Sequence, residues 1–346
     1  MDEALLTLAD KVAALRDPAC YPETTRALQA IETHMSWVFL TDAHAYKLKK
    51  PVQYDHQDFR TVQGRRFYCG EELRLNRRLA PDVYLDVVPL VRTPDGRLCV
   101  GARGRTVDWL VRMRRLPSGA MLDGLLARRE AAPAQMQAIA VRLAAFHGSQ
   151  PPAPLDGPAY RALLLHRIGQ SERELCDPAW ALPGARIAAI CARQRDFLAA
   201  HAADLDRRAG AGRVVDGHGD LRPEHVFLGE PLAVIDCLEF SQELRLLDGI
   251  DEVGFLALEC ERAHAGALAA VLLQAYRQAS GDPVPPELVH FYQSLRACIR
   301  AGLAIRHLRE ARYRAPSVWR GRTLRYLALA ARHLRACAVK LPPAAP

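Results

Sequence analysis

The stretch that decides the fold reads His218-Gly219-Asp220-Leu221-Arg222-Pro223-Glu224-His225. It lies between the short apolar runs Val214-Val215 and 226–228, which predicts a loop beside a small sheet. The proline stiffens this loop because its ring fixes the backbone φ angle. A further apolar run, 232–235, ends at Asp236, so a second carboxylate is predicted at the end of a strand.

The composition indicates a globular chain with a sizeable core. The 346 residues are half hydrophobic and a quarter charged, which suits two domains. No apolar run reaches the roughly 18 residues that a membrane helix needs, and the first residues lack the basic start of a signal peptide. The nine cysteines are odd in number and form no CxxC, so they are predicted to be small core residues in a reducing cytosol.

The net charge of +8 allows two interpretations. One is nucleic-acid binding. The favoured one is an arginine-rich chain in which some of the positive charge serves an anionic substrate, because no nucleic-acid motif accompanies the charge. The expected partners are therefore small molecules rather than a nucleic acid or a membrane.

The first third of the chain is predicted to form a small antiparallel sheet with one long helix inserted. Apolar and β-branched runs between turn residues predict strands at 37–40, 45–49, 83–90, 98–100 and 106–113. The spacing of apolar residues predicts helices at 3–16, 24–30 and 59–79.

From residue 117 onward the pattern is mostly helical. Helices are predicted at 133–147, 160–175 and 185–206, and over most of 246–339. Residues 1–116 and 117–346 are therefore predicted to be two lobes with a cleft between them, in an α+β arrangement.

Phosphoryl transfer from ATP requires a particular set of side chains. One carboxylate orients and deprotonates the acceptor hydroxyl, a second holds Mg2+, and a lysine fixed by an acidic partner binds the phosphates. Asp220 and Asp236 are candidates for the carboxylates. Lys47 and Lys49 share one face of a predicted strand, and Glu72 follows on a predicted helix. By themselves, the two lysines are also typical of a solvated edge strand.

The same residues resemble a known motif. The loop at 218–225 resembles the HGDxxxxN motif of aminoglycoside phosphotransferases, which are relatives of the protein kinases and share a branch with choline kinase-like proteins. Ile235-Asp236 resembles the acid that takes the role of the DFG aspartate, and 141–147 resembles the family's LAxLH helix. The resemblance covers about residues 30–340. It implies a protein-kinase-like fold with a small antiparallel sheet lobe and a helical lobe.

Within that group the chain is most similar to a bacterial branch of unassigned substrate. The marks of that branch are Glu32-Thr33-His34, Trp37-Val38-Phe39-Leu40, Tyr46-Lys47-Leu48-Lys49-Lys50-Pro51 and Glu72-Leu73-Arg74-Leu75-Asn76-Arg77-Arg78-Leu79. Some members carry a further ATPase domain with a P-loop. The sequence contains neither GxxxxGKS nor GxxxxGKT, so that domain is not expected here.

The resemblance implies a role for each candidate residue. It makes Asp220 the catalytic base and Asp236 the Mg2+ ligand, with Mn2+ as an alternative metal. Lys47 stands in an Ala-x-Lys pattern and would bind the phosphates of ATP, with Lys49 in reserve. Glu72 would be the acidic partner of that lysine.

The remaining assignments follow from the same resemblance. Glu71 is the second choice for the acidic partner. Adenine would be held by backbone groups of the hinge at 113–116, in particular by Met113 and Arg115. The loop over the phosphates would be 33–36, which lacks the usual glycines. Supporting roles are assigned to His218, which would brace the loop backbone, to Arg222 and Glu239, and to Asp251, which would support the catalytic loop.

His225 departs from the family's pattern, which has asparagine at this position. Mg2+ prefers oxygen ligands, whereas a neutral imidazole suits other metals. His225 would therefore bind metal weakly, hold the loop by hydrogen bonds, or bind a phosphate when protonated. Glu224 or Glu239 would supply the missing oxygen. This departure motivates the alternative that the chain is a pseudokinase, which binds nucleotide without transferring phosphate.

The acceptor is predicted only by charge. A pocket for a polycationic aminoglycoside should be acidic, yet the segment 155–210 is rich in arginine. A neutral or anionic acceptor is therefore favoured. The leading hypothesis is a cytoplasmic, ATP- and Mg2+-dependent kinase that phosphorylates a hydroxyl group of a small molecule.

Overall fold

A computed structural model of the chain describes residues 6–54, 57–309 and 315–337. The chain forms two compact units. The first comprises Met1–Leu125 with Glu224–Arg245, and the second comprises Leu126–Pro223 with Leu246–Pro346. The sequence analysis grouped 224–245 with the helical part of the chain. These residues pack in the first unit instead, because Phe227 pairs with Met121 in a β-bridge and the next N–H donates to the Ala120 carbonyl oxygen.

The strands and helices are as follows. The strands are β1 Gln29–Glu32, β2 Ser36–Leu40, β3 His44–Lys49, β4 Gln53–Tyr54, β5 Gln57–Asp58, β6 Tyr84–Arg92, β7 Leu98–Val100, β8 Arg105–Arg114, β9 Val214–Asp216, β10 Val226–Phe227, β11 Ala233–Val234 and β12 Leu246–Asp248. The helices are α1 Leu8–Leu15, α2 Val62–Asn76, α3 Leu122–Arg128, α4 Pro133–Ser149, α5 Gly157–Leu175, α6 Gly184–Ala200, α7 Ala202–Gly210, α8 Gln242–Arg245, α9 Gly249–Arg262, α10 Gly266–Ser280, α11 Pro286–Arg306 and α12 Pro316–Ala336.

The first unit is built on a six-stranded antiparallel sheet in the order β1-β2-β3-β8-β6-β7. Alternation along β3 divides its side chains between the two faces of this sheet. Tyr46 and Leu48 are buried in one core cluster with residues of α1. Ala45 is buried in the other cluster with Cys69 of α2. The same alternation places Lys47 and Lys49 on the α2 side.

Helix α2 is the long helix that the sequence predicted between two strands, although it is shorter at both ends than the predicted 59–79. Its first turn is capped by Thr61, whose hydroxyl accepts the N–H of Gly64. Helix α1 likewise begins later than predicted, after a capping box between Thr7 and Asp10. Residues 3–5 of that predicted helix lie outside the described residues.

The predicted helix at 24–30 is wrong. The Asp42 carboxylate accepts the N–H groups of Arg26 and Ala27, and β1 then pairs with β2. The ladder and this carboxylate satisfy backbone groups that a helix would have bonded within itself. The predicted helix at 185–206 is in fact two helices, α6 and α7, which meet at His201.

The second unit is mostly helical, with one small ladder between β9 and β12. Helix α9 is almost completely buried, and Asp248 caps it by accepting the N–H of Ile250. The predicted helices at 133–147 and 160–175 are confirmed as α4 and α5. The chain thus has the α+β fold that the sequence predicted.

Two further expectations concern the whole chain. All nine cysteines lie in described segments, and none of them forms a disulfide; seven are buried, as expected of small core residues. No helix within 6–54, 57–309 or 315–337 is long and apolar enough to cross a membrane.

Candidate active site

Two lysines of β3 and one glutamate of α2 form a buried charge cluster in the first unit. The Lys47 Nζ lies 2.8 Å from Glu72 Oε1, and the Lys49 Nζ lies 2.6 Å from Glu72 Oε2. Each lysine has a second carboxylate: Lys47 donates to Asp236 Oδ1 at 2.7 Å, and Lys49 donates to Glu239. The Glu72 side chain is fully buried. One glutamate therefore holds both candidate lysines.

The charges in this cluster stabilise one another. Burial would lower the pKa of Lys47, but the negative charges of Asp236 and Glu72 outweigh it, so its pKa lies well above the usual value. The pKa of Lys49 is raised in the same way, against burial, by Glu239 and Glu72. Burial would raise the pKa of Glu72, but the two lysines lower it. All three groups are therefore charged at neutral pH.

Glu71, the second choice from the sequence, points elsewhere. Its carboxylate pairs with Arg74, one turn along the helix, at 2.7 Å on a largely exposed face. The ion pair that the sequence predicted between Lys47 and Glu72 is present. The sequence did not predict that Glu72 also binds Lys49.

Asp236 follows β11 in an unusual backbone conformation. Its φ is +62°, a region that non-glycine residues seldom adopt and that aspartate tolerates better than most. The Asp236 N–H donates to the Tyr84 hydroxyl at 3.0 Å, and the next N–H donates to Asn76 Oδ1 at 2.9 Å. Asn76 in turn donates to the Glu72 carbonyl oxygen at 2.9 Å. Sequence reasoning missed Tyr84 and Asn76, although Asn76 lies one helical turn after Glu72.

His225 lies close to the candidate metal ligand. Its Nε2 is 3.5 Å from Asp236 Oδ2, and its carbonyl oxygen accepts the Ile235 N–H at 2.9 Å. The histidine is buried, whereas the Asp236 side chain is 46% exposed. A partly exposed carboxylate fits Mg2+, which binds through one or two protein oxygens together with substrate phosphates. Among the described residues, no group of three or more His, Cys, Asp or Glu side chains forms a ready-made metal cage.

The predicted phosphate loop is a closed turn between β1 and β2. The Thr33 hydroxyl donates to the Ser36 carbonyl oxygen at 2.9 Å and accepts the Ser36 N–H at 3.0 Å. The predicted hinge is the end of β8 and the two residues after it. The resemblance implied that backbone groups of Arg115 bind adenine. In the structure the Arg115 N–H donates to the Ala43 carbonyl oxygen at 2.9 Å. Met113 lies within the ladder, opposite Ala45.

The second unit contains the loop that carries Asp220. A single carboxylate, Glu252 of α9, accepts the N–H of His218 at 2.9 Å and the N–H of Gly219 at 2.6 Å. The same carboxylate lies 2.9 Å from His147 Nε2. Burial would raise the pKa of Glu252, but the hydrogen bond and charge of His147, with the loop amides, lower it to about 2. Glu252 is therefore an anion that holds the loop backbone through hydrogen bonds.

Glycine is required at two positions of this loop. Gly219 has a φ of +89°, which favours a residue without a Cβ atom. A Cβ atom at Gly217 would lie 2.8 Å from Glu252 Oε2, so the clamp itself needs a glycine there. The backbone geometry therefore requires glycine at 219, and the packing of Glu252 requires glycine at 217, independently of the aspartate that follows.

The Asp220 carboxylate lies among arginines. Its Oδ2 accepts from Arg222 Nε at 3.0 Å, and its Oδ1 lies 3.8 Å from Arg300 Nη1. The buried His218 accepts the Asp220 N–H at 3.3 Å through Nδ1. Arg300, on α11, was missed by the sequence analysis because nothing local connects it with the motif.

The support assigned to Asp251 is provided by its neighbour. The Asp251 carboxylate is held by Arg296 through two bonds of 2.7 and 2.6 Å, and the loop amides bind Glu252 instead. Both acids are in the first turn of α9 and are buried. The sequence analysis named Asp251 alone, because nothing local decides which of two adjacent acids faces the loop.

Comparisons with known proteins agree with this fold. The chain is 32% identical over 314 residues to uncharacterized proteins of Mycobacterium tuberculosis and Mycobacterium bovis; the match covers 90% of this chain and 60% of each relative. The chain therefore spans about 60% of the length of these curated relatives. No family model matches it.

Solved structures extend the comparison. A choline/ethanolamine kinase family protein from Mesorhizobium loti is similar with a TM-score of 0.58 at 18% identity, covering 94% of this chain and 98% of that one. A choline kinase from Cryptosporidium parvum has a TM-score of 0.55 at 9% identity, with 90% and 89% covered. A mutant aminoglycoside 2'-phosphotransferase-IIIa, in its GDP complex, has a TM-score of 0.51 at 15% identity, with 92% and 95% covered.

These likenesses show the fold. The chain therefore shares its fold with a choline/ethanolamine kinase family protein, a choline kinase and an aminoglycoside phosphotransferase, in agreement with the fold that the motif resemblance implied.

Proposed function

We propose that this chain is an ATP-dependent kinase that transfers the γ-phosphoryl group to a hydroxyl of a small molecule. The observation that carries the proposal is the buried cluster in which Lys47 joins Glu72 and Asp236. A lysine fixed by an acid, beside a carboxylate at a strand end, is the arrangement that phosphoryl transfer requires. Similar folds include kinases of choline and aminoglycosides, one of which was solved with GDP.

The first unit would bind the nucleotide. Lys47 is positioned by Glu72 from one side, so its ammonium group would bind the phosphates of ATP without reorienting. Asp236 and a second group, His225 or Glu239, would hold Mg2+, which would neutralise negative charge on the phosphates. Lys49 is only 1% exposed and already bonded to two carboxylates, so its role would be to position Glu72 rather than to bind phosphate.

The second unit would activate the acceptor. Asp220 would accept the hydroxyl proton as the acceptor oxygen forms a bond to the γ-phosphorus and the bond to the bridging oxygen of ADP breaks. Glu252 would keep the loop backbone in place during this step, since it binds two consecutive N–H groups beside Asp220. The nine cysteines, all in described segments, form no disulfide, which favours a reducing cytoplasm as the location.

The test is to measure Mg-ATP binding by calorimetry and turnover by ADP release, with and without an acceptor pool. Asp220→Asn should leave ATP binding within about twofold and reduce acceptor-dependent turnover about 100-fold or more, since a general base contributes 10²–10⁴-fold. Asp204→Asn is the matched control, because this carboxylate pairs with His201 and Arg207 near the surface. Wild type that binds no ATP, or turnover that Asp220→Asn leaves unchanged, would rule out the proposal.

A second candidate is a module that binds nucleotide without transfer. The observation in its favour is His225, whose imidazole lies 3.5 Å from Asp236 Oδ2 where the family has an oxygen donor. The same experiment separates the two functions. ATP binding with no turnover, with either Mg2+ or Mn2+ and any acceptor pool, would support the module and exclude the kinase.

A further inference from the structure

Three guanidinium groups and two carboxylates meet at the candidate base in the second unit. Arg222 and Arg300 approach Asp220, while Arg262 binds Glu259 at 2.6 Å. These five side chains carry three positive charges and two negative charges. The segment 155–210, from which the sequence argued for an anionic acceptor, is a weaker source of positive charge than its composition indicates, because four of its eight arginines pair with acids. Those pairs are Arg161–Asp206, Arg195–Glu172, Arg207–Asp204, Arg208–Asp248 and Arg208–Asp282.

Arg300 is the member of this cluster with the weakest attachment. Its Nη1 is 3.8 Å from Asp220 Oδ1 and its Nε is 3.8 Å from Glu259 Oε1, both beyond hydrogen-bonding distance. The buried Nε has no hydrogen-bond partner among the residues that the structure describes. Glu259 already accepts two bonds of 2.6 Å, from Tyr326 and Arg262, so it leaves Arg300 available for another anion.

The Arg300 side chain is nevertheless held in a defined place. It lies over the Phe255 ring, with 5.9 Å between the guanidinium carbon and the ring centroid, and only 17% of it is exposed. A guanidinium group that is partly desolvated and fixed, with Tyr326 as its neighbouring hydroxyl and both carboxylates beyond hydrogen-bonding distance, is suited to bind a carboxylate or phosphate through two parallel bonds.

We propose that Arg300, together with Arg222, selects an acceptor that carries an oxyanion, a carboxylate or a phosphate, close to the hydroxyl that is phosphorylated. The inference rests on the proposed function, because it takes Asp220 as the base for that hydroxyl. The oxyanion would bind Arg300, and Arg222 would remain on the other oxygen of Asp220. Arg300 is thus a specificity residue, and a cationic acceptor would be disfavoured.

The experiment uses the full chain and the small molecules of a bacterial extract. Ion exchange divides the extract into anionic, neutral and cationic pools, and each pool is incubated with ATP labelled in the γ-phosphate. Label should enter mainly the anionic pool. Treating that pool beforehand with an alkaline phosphatase, then removed, distinguishes the two oxyanions: a phosphorylated acceptor is lost, whereas a carboxylate acceptor survives.

Variants then test the residue. Arg300→Gln should raise the KM for the anionic pool about tenfold or more, as expected for loss of a charged hydrogen bond, and change the KM for ATP less than about twofold. Arg300→Lys should be intermediate. Arg306→Gln is the matched control on the same helix, because that arginine is half exposed and pairs with Glu174. If Arg300→Gln does not fold, the wild-type KM for the anionic pool should still rise with ionic strength.

The outcomes separate this inference from the proposed function. Label in the neutral or cationic pool, an unchanged KM for the anionic pool in folded Arg300→Gln, or a wild-type KM insensitive to salt overturns the inference and leaves the kinase intact. Label in no pool, although ATP binds, overturns the kinase as well.

Discussion

Replacing Glu72 by glutamine tests the charge cluster most directly. The substitution keeps the shape of a fully buried side chain and removes the charge that pairs with Lys47 and Lys49. Removing one partner of a buried ion pair destabilises a protein by about 3–5 kcal/mol. Each lysine keeps a second carboxylate, from Asp236 or Glu239, so the lower end of about 3 kcal/mol applies.

Calorimetry and hydrogen exchange measure this loss. For a domain of this size about 3 kcal/mol lowers the melting temperature by roughly 6–12 °C. The amides of α2 around Glu72 should exchange faster, because Glu72 and Arg65 are buried charged residues that attach this helix to the sheet. The KM for ATP should also rise, since Lys47 loses the acid that positions it.

Glu71→Gln is the matched control. Glu71 is the adjacent residue and pairs with Arg74 on the helix surface, where such a pair contributes at most about 0.5 kcal/mol. The two variants should therefore differ by several degrees in melting temperature. Equal melting temperatures for both variants, or a loss below about 1 kcal/mol for Glu72→Gln, would show that the lysines do not depend on Glu72.

The stabilisation that Glu72 contributes is expected to decrease at low pH. The pKa of Glu72 is lowered in the folded chain, so its contribution to stability is complete above the ordinary carboxyl pKa of 4.5. The contribution is lost as the pH falls through the folded pKa. The difference between wild type and Glu72→Gln should thus be full at pH 7 and shrink below about pH 4.5.

Two further substitutions test the loop and the metal ligand. Glu252→Gln should lower the free energy of unfolding by about 2 kcal/mol or more and speed exchange of the 218 and 219 amides, because a carboxamide cannot replace an anion with a pKa of about 2. This stabilisation is present above pH 4.5 and disappears as the pH falls towards 2; a loss independent of pH would contradict the role of the charge. His225→Asn should raise the ratio of Mg2+- to Mn2+-supported kcat/KM about tenfold, since an amide oxygen suits Mg2+ better than imidazole. An unchanged ratio would place His225 outside the metal site.

Local sequence predicted the parts of the site whose position depends on short-range geometry. Alternation along 45–49 put Lys47 and Lys49 on one face, and a strand ending in an acid placed Asp236. The requirement for Gly219 is also local, because it comes from its own φ angle, whereas Gly217 is required by contact with Glu252 of a distant helix.

The rest of the site depends on which side chains meet across the fold. Glu252 and Asp251 are adjacent acids in one helical turn, and only the packing of α9 decides that Glu252 faces the loop. Arg300 approaches Asp220 from a helix 80 residues later in the sequence. The prediction of a helix at 24–30 is wrong for the same reason. The Asp42 carboxylate, which lies further along the chain, accepts the N–H groups of Arg26 and Ala27.

The division of the first unit into two stretches of sequence has a consequence for folding. Lys47 and Asp236 are separated by 189 residues, and Lys49 and Glu239 by 190. During synthesis the strands of the sheet leave the ribosome long before Asp236 and Glu239. The two buried lysines therefore initially have Glu72 alone of these three acids to neutralise their charges. A fragment that ends at residue 125 should therefore be unstable. The first unit is expected to gain its native stability only after residue 245 has left the ribosome.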